Sequence, residues 1–400
     1  MKIKIHKLLL LISIVYTIVG MYFMLSQPIG AGDEGLFIAD IHYLKQYGRL
    51  ESIKKGISIP HTILVYPLSV IMEPYLALRT INIVLLIALY FYFFYRNNPS
   101  ILFFFYLTFF TGTCKVFFIG TNDSLFILCL AIFLNEVHRF NIGKSWNQSL
   151  ALSVLIVGLF TRALIIMYLP ALLLCFLFVY RIKGFNRKGF FIPILITMLL
   201  LILNLPAIQT NGKLSYDKKN PPEDVSVTWA QRQYLAQLMV NEGKLQNYQH
   251  PSFEATQNYV DENGEDALPK TLFSGIVFNP KLTLIEFFKD GLDIFIFGTR
   301  QLGLILIIVL GMLLSNLFRK KFLDFENIIP LALLITILVF SLVIISYVEL
   351  RWFVPIFIGA IVFYTFLEDT KRIGGKVSKV NLAVIFLLMS YGLIKIIPKL

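Results

Sequence analysis

Charge is scarce in this sequence. Only 15% of its 400 residues are Asp, Glu, Lys or Arg, against about a quarter in ordinary soluble proteins, so a soluble globular domain is excluded. Cysteine is scarcer still. Cys114, Cys129 and Cys175 all fall inside apolar runs, where a thiol acts as a small hydrophobe. That placement excludes a disulfide framework and any Cys/His zinc spacing. Internal repeats and low-complexity segments are not evident, so the signature of inverted-repeat transporters is missing too.

What is present is hydrocarbon. Hydrophobic residues make up 57% of the chain, with 37 Phe and a mean hydropathy of +0.74. Apolar runs of bilayer-spanning length recur from end to end, which predicts an all-α polytopic membrane protein. The formal charge of +12 would point to nucleic acid in a soluble chain. Here it reads as topology, because Lys and Arg are retained on the cytoplasmic side, and no nucleic-acid partner is expected. Lys2, Lys4 and Lys7 precede an apolar run from Leu8 to Leu25 that is followed by Ser26-Gln27-Pro28. A cleaved signal would end on small residues, so this run reads as a retained first span.

Eleven runs are candidate spans: 8–25, 80–95, 100–119, 123–138, 149–163, 164–180, 190–208, 301–318, 328–347, 352–367 and 380–397. Segment 60–78 is apolar but interrupted by Pro60, Pro67, Glu73 and Pro74. If it lies along the outer interface, six short cytoplasmic stretches collect 17 basic residues: Lys2/Lys4/Lys7, Arg96, Arg139/Lys144, Arg181/Lys183/Arg187/Lys188, Arg319/Lys320/Lys321 and Lys371/Arg372/Lys376/Lys379. If it crosses, the clusters from Arg139 onward move outside, against the positive-inside rule. The expected organisation is therefore an N-terminal module 1–208 containing a first outer loop 26–79, a large outer loop 209–300, and C-terminal spans 301–400. The N-terminus is inside and the C-terminus outside. Glu34–Tyr47 has helical apolar spacing suited to the interface. Helices are expected near 226–243 and 252–263, and 282–297 is amphipathic.

This topology brings Asp33, Glu34, Arg79, Lys115, Asp123, Arg162, Arg300, Glu349 and Arg351 to one leaflet boundary. Charges at span ends are costly and usually functional. Carboxylates with several guanidinium groups are suited to holding a phosphate beside a base. Each has a plainer reading as well. Arg162 and Arg300 also read as snorkelling anchors, and Asp123 after Asn122 as a helix cap. His61 and Tyr66 read equally as interfacial packing. Asp33-Glu34, flanked by Gly32 and Gly35, is harder to explain by capping, which needs only one acid.

Several of these segments resemble the GT-C membrane glycosyltransferases, within them the protein O-mannosyltransferases and the lipid A aminoarabinose transferase. Gly32-Asp33-Glu34-Gly35-Leu36-Phe37-Ile38-Ala39 is similar to the family's Asp-Glu element after span one. Ile59-Pro60-His61 and Tyr66-Pro67-Leu68 occupy the place of its His/Lys-Pro-Pro-Leu element, and Leu78-Arg79-Thr80-Ile81-Asn82 resembles its Leu-Arg segment. Thr121-Asn122-Asp123, Phe160-Thr161-Arg162 and Glu349-Leu350-Arg351-Trp352-Phe353-Val354-Pro355 match in the same order. The Pro-Pro-Leu element is degraded and Trp352 replaces the usual Tyr.

The resemblance implies a GT-C-like helical bundle and an inverting glycosyltransferase. The enzyme would move a sugar from a polyprenyl-phosphate donor to a lipid, glycan or protein acceptor on the outer face of a bacterial plasma membrane. Asp33 would be the base and Glu34 its support. Arg79, Asp123, Arg162, Arg351, Glu349, His61 and Tyr66 would bind substrate, and the resemblance leaves open whether a divalent ion, Mg or Mn, sits at Asp33, Glu34 and Asp123. Tyr216, Trp229, Tyr234 and Tyr248 offer faces for sugar stacking. Two other readings stand beside it. An O-antigen or capsule polymerase would use diphosphate-linked oligosaccharide, but the loop 209–300 carries only Arg232 and Arg300 as arginines and is net acidic. A lipid-linked sugar flippase would place its charges near the midplane.

Overall fold

The computed structural model describes residues 2–30, 32–182, 184–216, 225–319 and 324–400. Lys183, Lys320 and Lys321 of the basic clusters, and the side chains of Lys2 and Lys4, lie outside the described residues. The described residues form helices and no strand. In chain order they are α1 (Lys2–Leu25), α2 (Glu34–Lys55), α3 (Ile59–Ile71), α4 (Pro74–Asn97), α5 (Ile101–Cys114), α6 (Asp123–Asn141), α7 (Gln148–Thr161), α8 (Ile165–Arg181) and α9 (Phe191–Asn211). There follow α10 (Trp229–Asn241), α11 (Phe253–Asn263), α12 (Leu272–Phe278), α13 (Pro280–Leu302), α14 (Ile305–Phe318), α15 (Ile328–Ser341), α16 (Val354–Asp369) and α17 (Gly375–Ile396).

Five helical stretches are long and apolar enough to cross a membrane: Ile5–Leu25, Pro74–Asn97, Lys188–Asn211, Leu350–Asp369 and Gly375–Lys399. Six more apolar helices, α3, α5, α7, α8, α14 and α15, are shorter. The chain is a helical membrane protein. Each of the eleven expected runs coincides with a helix, and the 13-residue α3 occupies the doubtful segment.

The chain divides into two compact units. The first comprises 1–217, 298–333 and 351–400, and the second 218–297 and 334–350. The sequence division assigned 334–350 to the C-terminal spans; in the structure it belongs with the polar loop.

At the centre of the first unit are α6 and α16. From Val354 to Leu367 only Phe366 among α16 residues is not fully buried, as a helix apolar on all sides requires. Around the pair pack α4, α5, α7 and α14, with α1 and α17 outside α5. The outermost helices keep apolar side chains exposed, such as Leu8, Leu11 and Val15 on α1 and Leu195, Met198 and Ile202 on α9. In a bilayer those faces meet acyl chains rather than water.

The second unit is a small helical domain around Val227, Tyr234, Leu235, Val260, Leu268 and Ile344. Helix α10 opens with a capping box, Thr228 accepting from Gln231 N–H while the Gln231 side chain accepts from Thr228 N–H. That device satisfies two otherwise orphaned donors.

Candidate active site

Two separate arrangements emerge from the charges that the sequence gathers at one boundary. The first joins Glu34, at the start of α2, to Arg79, one turn into α4. Arg79 donates from Nε to Glu34 Oε1 and from Nη2 to Oε2, both at 2.7 Å. The remaining capacity of the pair is used as well. Gly30 N–H donates to Oε2 at 3.1 Å, Gly120 N–H donates to Oε1 at 3.0 Å, and Arg79 Nη1 donates to the Leu25 carbonyl at 3.1 Å.

Glu34 is 1% exposed and Arg79 is 6% exposed. Burial alone would raise the Glu34 pKa, but the guanidinium and the two N–H donors outweigh it and hold the carboxyl below its ordinary value. Gly120 is where this works sterically: a Cβ there would stand 2.8 Å from Glu34 Oε1 and 2.9 Å from Leu78 Cβ. The expectations that Glu34 supports a base and that Arg79 meets a phosphate thus encounter a pair that is already saturated and closed to solvent.

The second arrangement is a chain of ion pairs. Arg351 donates from Nη2 to Asp33 Oδ2 and, at 3.2 Å, from Nη1 to Asp123 Oδ2. The other Asp123 oxygen pairs with Arg162, and the Thr121 hydroxyl donates to Oδ2 at 3.1 Å. Four residues from the first loop and the ends of α6, α7 and the turn before α16 therefore meet. Asp123 is closed off at 2% side-chain exposure, whereas Asp33, Arg351 and Arg162 are exposed by 19%, 20% and 23%. Asp33 is N-cap to α2 by position but makes no capping hydrogen bond, so the helix does not need its carboxylate.

The remaining expected residues are described by their own neighbours. His61 is buried with its ring edge-on to Phe37, centroids 6.0 Å apart. Tyr66 lies under Arg49, 5.7 Å from guanidinium carbon to ring centroid. Lys115 is turned over the Phe23 ring at 4.6 Å. Glu349 belongs to the second unit. Of the aromatics expected to stack on sugar, Tyr234 is core, 2% exposed and packed on Phe278. It has no free face.

The carboxylates do not suit a divalent cation. Glu34 is turned onto Arg79, and Arg351 stands between Asp33 and Asp123, so a cationic group already occupies the place an ion would take. Among the described residues no group of three or more His, Cys, Asp or Glu is placed to hold a metal.

No protein-family model, curated protein or solved structure matches this chain. Its site therefore rests on geometry alone.

A third arrangement, which the sequence does not reveal, sits at the opposite end of α4. Arg96 donates to both oxygens of Glu136, at 2.6 and 2.8 Å, and Tyr92 and Asn147 N–H donate to the same carboxylate. Arg79 and Arg96 are separated along α4 by roughly 26 Å at 1.5 Å per residue, close to the ~30 Å hydrocarbon core. The signal was in the sequence as two arginines bracketing one apolar span. Their acidic partners could not be paired by eye.

Proposed function

We propose that this protein is an inverting glycosyltransferase of the GT-C type. It would take a sugar from a polyprenyl-phosphate carrier and pass it to a hydroxyl-bearing acceptor at the outer membrane boundary. The observation that carries the reading is Asp33: an accessible carboxylate, not needed as a helix cap, held by an accessible guanidinium that is shared with a second acid. Eleven spans with the N-terminus inside are the proposed topology. Placing α3 along the interface keeps the basic clusters from Arg139 onward on the inner side.

In the proposed step an Asp33 oxygen takes the proton from the acceptor hydroxyl while the hydroxyl's own oxygen attacks the anomeric carbon. The new C–O bond forms as the bond from anomeric carbon to phosphate oxygen breaks, and the electron pair leaves with the phosphate. Arg351 and Arg162 neutralise the charge that develops there, so the leaving group needs no proton. The cluster of two carboxylates and two guanidinium groups is neutral overall. An arriving phosphate must therefore exchange with a carboxylate for an arginine, and Asp33 is the partner best placed to be released. Glu34 and Arg79 act as positioning residues, fixing the loop that presents Asp33 against α4 and Gly120.

The test is Asp33→Asn in purified protein. Transfer should fall by about 10²–10⁴, the usual worth of a general base, with helical content and monodispersity unchanged. Full activity in that variant contradicts the proposal.

A further inference from the structure

Away from the ion-pair chain, α2 breaks. Its backbone is non-helical at Gly48, with φ 79° and ψ 179°, a conformation that favours glycine. The helix predicted over Glu34–Tyr47 ends there, and the following turn, from Arg49, takes a new direction. Beneath the break lies a cavity of about 340 Å³, within the size range of ligand sites. Its walls are apolar: Leu44, Ile53, Ile57, Ile59, Tyr66 and, from α9, Leu203. Arg49 also lines it, and among the described residues this guanidinium has no ion-pair partner. The nearby Glu51 is taken by Lys54 at 2.7 Å, so the positive charge on the cavity wall meets the Tyr66 ring but no carboxylate among the described residues. Beside Leu203 the surface of α9 is lipid-facing, with Leu199, Ile202 and Leu205 exposed by 55%, 62% and 45%. The cavity therefore adjoins bilayer hydrocarbon, and an acyl chain can enter sideways without crossing water.

We propose that this cavity is a binding site for an anionic bilayer phospholipid, with one acyl chain between α2, α3 and α9 and its phosphate at Arg49. Position argues against the reacting carrier as occupant. The straight part of α2, Glu34–Tyr47, separates Arg49 from Asp33 by roughly 20 Å, so a phosphate held at Arg49 is not the one at the ion-pair chain. A lipid seated here braces the break at Gly48 and with it the helix that begins at Asp33.

The test is native mass spectrometry of the full chain, delipidated and then exposed to equal amounts of phosphatidylglycerol and phosphatidylcholine. A second exposure adds polyprenyl phosphate as competitor. Phosphatidylglycerol should be retained roughly fivefold over phosphatidylcholine, the usual value of one basic residue toward an anionic headgroup. Arg49→Gln should remove that preference. Ile63→Trp, which fills the cavity from an exposed position, should abolish retention of both lipids. Equal retention of the two lipids, or retention unchanged by both variants, overturns the proposal, as does displacement of phosphatidylglycerol by equimolar polyprenyl phosphate. None of these readouts depends on glycosyl transfer.

Discussion

Arg351 and Asp33, 318 positions apart in the chain, are joined by a guanidinium–carboxylate hydrogen bond. The turn before α16 thereby closes onto the first loop, and Arg351 reaches Asp123 with its other arm. A lysine is poorly suited to this, because it presents a compact point charge instead of a planar fork with two separate arms.

Arg351→Lys is therefore informative. It keeps the charge and loses the bridge, and the apparent KM for the lipid donor should rise about 10- to 100-fold, the range for a charged hydrogen bond of ~1.5–3 kcal/mol. The KM for the acceptor should change little. Steady-state kinetics with each substrate varied in turn check this, and equal rises in both constants would mark Arg351 as an anchor only.

Glu34 should behave differently from its neighbour. Glu34→Gln leaves the Arg79 guanidinium buried beside a neutral amide, and breaking such a pair costs about 3–5 kcal/mol. The expected result is a lower unfolding temperature in detergent, with activity per folded molecule largely kept. A variant of normal stability that has lost transfer would instead put Glu34 in the chemistry.

The second unit supplies a pH effect. Asp290 is buried with no hydrogen-bond partner for Oδ2. Burial pushes its pKa from 3.8 up to about 7, with Glu286 and Asp293 adding to the rise and Lys289 opposing it. Between those values the folded state holds a proton that the unfolded state releases. Stability from this group is thus full below the unfolded value and declines as pH rises through about 7. Asp290→Asn should remove the decline, gaining on the order of 2–4 kcal/mol near pH 8 and nothing near pH 4. Unfolding curves at the two pH values read the difference. Equal shifts at both would mean that the carboxyl does not titrate in this range.

Topology is open to direct labelling. Lys244 and Lys376 are both exposed. A cysteine replacing Lys244 should react with an impermeant thiol reagent in intact cells, while one replacing Lys376 should react only after permeabilisation. The opposite pattern inverts the proposed orientation.

Much of the fold was legible because hydropathy and helical spacing are local. The expected apolar runs coincide with helices, and α10, α11 and α13 lie where polar amphipathic segments were read. The end of the first interfacial helix at Tyr47 was legible because Gly48 breaks the pattern. The grouping of Asp33, Asp123, Arg162 and Arg351 followed from charge parity, which sorts residues by side. Parity does not say who pairs with whom. It treated Glu34 and Arg79 as partners of the site, although each is consumed by the other and by Gly30, Gly120 and Leu25. Those backbone contacts depend on a tertiary approach at Gly120 that leaves no room for a Cβ, for which the sequence shows only a glycine. Arg49 is not legible in the sequence as a cavity residue because the cavity forms only where α2, α3 and α9 come together.

Purified protein in lipid nanodiscs should be incubated with labelled polyprenyl-phosphate sugars and, separately, with polyprenyl-diphosphate sugars, and the remaining carrier-linked label followed over time. The wild type should consume a monophosphate-linked sugar, and Asp33→Asn none above background. Consumption of only the diphosphate-linked sugars, or equal consumption by the variant, would contradict the proposed function.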